Sequence, residues 1–83
     1  MSEYLKELRD ILKPKIAGLG YQVMAVGSTL KILKGGQTIM NVSDKGEIVE
    51  MSFQGKKYTY DKWYTKPEHL ANTIIRTLEV QKP

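Results

Sequence analysis

Apolar positions recur at two different periods along the 83-residue chain, and the change of period divides it into three parts. Between residues 3 and 18, Leu5, Leu8, Ile11, Leu12 and Ile16 fall at three- and four-residue intervals, the spacing of one helical face. Ser2 is placed to cap this helix, and Glu3 and Glu7 lie near its positive end. Pro14 interrupts the pattern and predicts a kink or a broken last turn, while Gly18 and Gly20 provide a stop. A second helical face is carried by Leu70, Ala71, Ile74, Ile75 and Leu78 over residues 66–80. Thr65 and Glu68 have capping-box spacing there, and Pro67 is tolerated in a first turn. Between the helices the pattern shortens to runs at 21–26, 29–34, 37–43, 47–53 and 56–60. Gly27-Ser28, Gly35-Gly36, Asp44-Lys45-Gly46 and Gln54-Gly55 separate them, and such short Gly-bearing links are the loops of hairpins. The expectation is one α+β domain over 1–83: a five-stranded antiparallel meander with an N-terminal and a C-terminal helix on one face.

Turn lengths also predict register, because each two-residue loop fixes which residues oppose one another. Gln54-Gly55 sets Phe53 against Lys56, Met51 against Tyr58 and Val49 against Tyr60. Read as a three-residue loop, Asp44-Lys45-Gly46 sets Ile39 against Met51 and Asn41 against Val49. Gly35-Gly36 opposes Ile32 to Ile39 and Leu30 to Asn41; Gly27-Ser28 opposes Val23 to Ile32 and Ala25 to Leu30. Cross-strand partners share a face. The helix-bearing face is thereby assigned Tyr21, Val23, Ala25, Leu30, Ile32, Ile39, Val49, Met51, Phe53, Tyr58 and Tyr60. The second face keeps Met24, Leu33, Met40, Val42 and Ile48 among polar neighbours, more apolar groups than a solvated surface needs.

Composition narrows the chemistry. The absence of cysteine excludes disulfides, thiolate metal sites and cysteine nucleophiles. The longest uninterrupted apolar run, Val23 to Val26, is far below the ~20 residues of a membrane helix. With no charged-then-apolar leader, the expectation is a soluble cytoplasmic protein that does not engage membranes. Gly18-Leu19-Gly20 follows a helix and lacks the third glycine of a dinucleotide loop. Gly35-Gly36-Gln37 matches the tripeptide of peptide-release factors but falls where a hairpin turn explains both glycines. His69, the only histidine, sits beside Glu68 on the polar side of the second helix with no nucleophile in the pattern. Neither a catalytic constellation nor a metal-ligand cluster emerges, so no enzyme activity, cofactor or small-molecule substrate is expected.

Two surfaces remain as candidates. The first is a partner interface on the second sheet face, formed by Met24, Lys31, Leu33, Met40, Val42, Ile48 and Glu50. Methionine adapts to irregular partners, and Lys31 with Glu50 could pair across a two-fold axis. It points to a protein-interaction or assembly module, regulatory or inhibitory in role, and to a homodimer. The alternative is a nucleic-acid interface on Lys56, Lys57, Lys62, Trp63, Tyr64 and Lys66. The chain's net charge of +4 is +1 over residues 1–55 and +3 over 56–66, where lysines alternate with aromatic rings. Charge for phosphates and flat rings for bases are what a single strand requires.

Overall fold

The computed structural model describes residues 2–80. Its elements are α1 (Glu3–Ala17), β1 (Gln22–Val26), β2 (Thr29–Lys34), β3 (Gln37–Asp44), β4 (Ile48–Phe53), β5 (Lys56–Asp61) and α2 (Pro67–Val80). The expected α+β architecture is present: five antiparallel strands in the order β1-β2-β3-β4-β5, flanked in sequence by two helices. Ser2 caps α1 by accepting a 3.2 Å hydrogen bond from the Leu5 N–H. The helix passes through Pro14 and continues to Ala17, without the broken turn its proline predicts. Ile16, fully buried two residues beyond, anchors that last turn to the core. Gly20, not Gly18, takes the left-handed conformation that ends it (φ 89°). α2 begins at Pro67. The Thr65 N–H is already donated to the Asp61 carbonyl at 2.8 Å, so the expected capping box does not form.

Register agrees with the turn reading at both sides of the sheet and departs from it in the middle. Val23 opposes Ile32, and Met51 opposes Tyr58, as the turns dictate. β2 and β3 start in the expected register, Lys34 against Gln37 and Leu33 against Thr38, then slip by one residue. Ile32 opposes Met40 and Leu30 opposes Val42, leaving Ile39 as the extra residue of a β-bulge. The next link is also tighter than expected. Asp44 opposes Val49, and the Lys45 N–H bonds the Ile48 carbonyl at 2.9 Å, so Gly46-Glu47 make a two-residue turn. Met51 therefore faces Val42 and not Ile39. The consequence is a change of side. Met40 and Val42 point under the helices and are fully buried, not on the second face.

The core joins Leu5, Leu8, Leu12 and Ile16 of α1 to Leu70, Ala71, Ile74 and Leu78 of α2 over Leu30, Ile32, Met40, Val42, Val49, Met51 and Phe53 of the sheet. Two tyrosines tie the helices to each other. The Tyr4 hydroxyl donates to the Thr65 carbonyl (2.6 Å) just before α2, and the Tyr21 hydroxyl donates to the Leu78 carbonyl (3.4 Å) in its last turn. Tyr4 lies in the first turn of α1 and Tyr21 follows its end, so α1 and α2 run side by side in the same direction.

Candidate interaction surfaces

With Met40 and Val42 withdrawn, the second sheet face is polar at its centre. Its rows are Met24, Lys31, Asn41, Ser52 and Lys57, then Val26, Thr29, Ser43, Glu50 and Thr59. The Thr29 and Ser43 hydroxyls bond each other across it at 3.0 Å. Lys31 and Glu50 occupy neighbouring rows with Asn41 and Ser43 between them. Of the expected interface, Met24 is half exposed and Leu33 partly buried in one corner, while Ile48 is exposed at the far side. Val26, also about half exposed, joins Met24 and Leu33 on β1 and β2. Sequence reasoning omitted Val26 because it closes the β1 run and reads as a turn flank.

The segment 56–66 is split by its own strand. β5 is six residues long, about 20 Å, and places Lys56 and Lys57 at one end of the sheet with Lys62, Trp63, Tyr64 and Lys66 at the other. In the loop after β5, the Asp61 carboxylate accepts the Trp63 N–H at 2.7 Å, an Asx turn that turns the indole outward. Trp63 and Tyr64 are 76% and 81% exposed, and the Lys66 ammonium lies 5.2 Å from the centre of the indole ring. Glu47, Asp61 and Glu68 occupy the same end, so the cationic excess read along the sequence is not a basic patch in space.

Lys62 has a different task, invisible in the linear pattern. Its ammonium pairs with the Asp44 carboxylate and sits 5.6 Å from the Tyr4 ring centre. Burial pushes the Asp44 carboxyl up. Hydrogen bonds from Lys62, the Ser2 hydroxyl and the Gly46 N–H, with the Lys62 charge, outweigh that and hold it below the ordinary carboxylate value. Burial, and then the nearby Asp44 charge, push the Tyr4 phenol up to about 12. This cluster links the start of α1, the β3–β4 turn and the β5–α2 loop, so it is read as a structural latch. Asp44 and Lys62 are 18 positions apart in the sequence and meet only because β4 and β5 form a hairpin between them.

β1 is the other feature that the residue pattern did not single out. Among the described residues it is an edge strand, paired only with β2. Ala25 points to the helix side yet is exposed, and Val23 is only half-buried, so α1, which packs against β1 and β2, leaves the outer margin of β1 open. A concavity of about 340 Å³ opens there, walled by Lys13 and Ala17 of α1 and by Tyr21, Val23, Met24 and Leu33. Among the described residues no three His, Asp or Glu side chains converge as a metal site would need, and no helix is long and apolar enough to cross a membrane. Comparison with known proteins found no family model, no curated protein and no solved structure that matches this chain.

Proposed function

We propose that the chain is a non-enzymatic protein-interaction module, a small regulatory or assembly component that docks through the β1 side of its sheet. The observation that carries this is the exposure of Met24 and Val26 along the margin of β1, with Leu33 diagonal to Met24 on β2, while the centre of that face is polar. Exposed apolar side chains gathered at one place mark contact surfaces more often than scattered ones do. The partner is a protein, either a second copy or another chain. A photo-crosslinking residue at Met24 tests it. Cross-linking to a protein, abolished by Val26→Glu in a chain that still folds, is the expected outcome. A monomer by light scattering with no cross-link at Met24 would defeat the proposal.

One observation favours a second reading. Trp63 and Tyr64 are the most exposed aromatic rings described, and Lys66 stacks on the indole, an arrangement that single-stranded nucleic acid can use. Its acidic surroundings make it the weaker of the two. Quenching of Trp63 fluorescence by a mixed oligonucleotide, steeply lost with added salt, would establish it; unchanged fluorescence at low salt removes it.

A further inference from the structure

We infer that β1 is the receiving strand for an extended, acidic segment of a protein partner, which adds to the sheet as a sixth strand. This deepens the interaction reading above and rests on it. The backbone supplies the first argument. The Gly27-Ser28 turn has positive φ at its first position alone, and it closes on Val26 and Thr29. In such a hairpin Val26, Met24 and Gln22 exchange hydrogen bonds with β2, whereas the N–H and C=O groups of Val23 and Ala25 point away from it. Those groups form the free edge that strand addition uses.

The two edges of the sheet are not equivalent. β5 carries Lys56 and Lys57 and ends in Asp61, charges that discourage strand-to-strand association. β1 reads Gln-Val-Met-Ala-Val, with neither charge nor proline. It is the edge left open.

Charge then selects the occupant. Lys13 and Ala17 form the α1 wall of the groove, and Arg9 and Lys6 lie on the same side of the helix at four- and seven-residue spacing from Lys13. Asp10, held by Arg9 at 3.3 Å, is turned further toward solvent. A strand laid on β1 thus presents alternate side chains to a row of cations, and the others to Met24, Val26 and Leu33. A segment alternating acidic with apolar residues satisfies both sides. A second copy of this chain does not, because antiparallel β1–β1 pairing sets one cationic helix flank against its equivalent.

The test uses isotope-labelled full-length protein and a synthetic probe, acetylated Thr-Glu-Val-Glu-Val-Glu-Thr, with a control in which lysine replaces each glutamate. The acidic peptide is expected to slow amide exchange at Val23 and Ala25 by about tenfold or more at saturation, as newly bonded edge amides do. The lysine peptide and the Lys13→Glu variant should each weaken binding by about tenfold or more. Ala25→Pro removes an outward N–H without costing an internal bond, so it should fold and fail to bind. If that variant unfolds, Lys13→Glu and the lysine control still decide. Equal binding of both peptides, or shifts confined to Lys31, Asn41 and Ser52 without protection of β1, would overturn the inference. So would no binding at all. If Met24 still cross-links to a protein in that case, the interaction reading survives and only strand addition falls; if it does not, both fall.

Discussion

Asp44 keeps its charge in a site where one carboxylate oxygen is shut off from solvent and has no hydrogen-bond partner among the described residues. It can do so because Lys62 is there. Lys62→Met would strand the carboxylate, and a loss of about 1–3 kcal/mol in urea unfolding is expected. The Asp44 pKa is lower in the folded than in the unfolded chain. Its contribution is therefore complete above the ordinary aspartate value, about 3.9, and disappears as pH falls through the depressed one. In Lys62→Met this acid-side loss of stability should shrink, and carbon-detected titration of the Asp44 carboxyl should move upward. The two methionines on either side of the sheet make a second test at this scale. Met40→Ala opens a space in the core and should cost about 2–5 kcal/mol, whereas Met24→Ala at the exposed corner should stay within about 0.5 kcal/mol. A larger loss at Met24 than at Met40 would mean that the sides had been exchanged.

At the scale of elements, the bulge at Ile39 decides which side chains reach the core. Deleting Ile39 removes the extra residue and lets Thr38 and Met40 pair with Leu33 and Ile32 in unbroken register. The shortened chain should unfold cooperatively with a loss of about 1–2 kcal/mol, the value of one half-buried side chain. Deleting Asn41 instead reverses the remainder of β3 and should abolish the cooperative transition; NMR dispersion or urea melts distinguish the two. The same bulge marks the limit of what the sequence discloses. Both helices, all five strands, the Ser2 cap and the outer hairpins follow from periodicity and turn chemistry, which are local. Whether a strand takes up an extra residue depends on what packs above it. Two adjacent apolar residues, Ile39-Met40, both of which pack on the core, are the only local hint that alternation fails there. That slip, together with the two-residue Gly46-Glu47 turn, takes Met40 and Val42 away from the interface to which regular alternation assigns them. The β1 edge was hidden for another reason: helix coverage is a matter of where α1 lies, and no motif encodes it.

Over the whole molecule, the parallel course of α1 and α2 accounts for the layout of charge. Both helix N-termini lie at the end that holds Glu3, Asp44, Glu47, Asp61 and Glu68, and both C-termini lie at the end that holds Lys13, Lys15, Lys34 and Lys56. Carboxylates beside the positive ends of two aligned dipoles, and lysines beside their negative ends, compensate an arrangement that would otherwise be unfavourable. Glu79, in the last turn of α2, and Lys45, Lys62 and Lys66, at the end that holds the helix N-termini, are exceptions. Salt should consequently destabilise the fold by about 1 kcal/mol between low ionic strength and ~0.5 M, where exposed charges are screened; a urea midpoint that rises with salt would contradict this account. The open β1 strand adds a practical consequence. In dilute buffer, repulsion between the cationic flanks of α1 keeps the uncharged edges of neighbouring molecules apart. Once salt screens it, nothing on Gln-Val-Met-Ala-Val resists stacking, and concentrated protein should gel or precipitate through that strand. The strand most receptive to a partner thus also sets the protein's limit of solubility and shelf life.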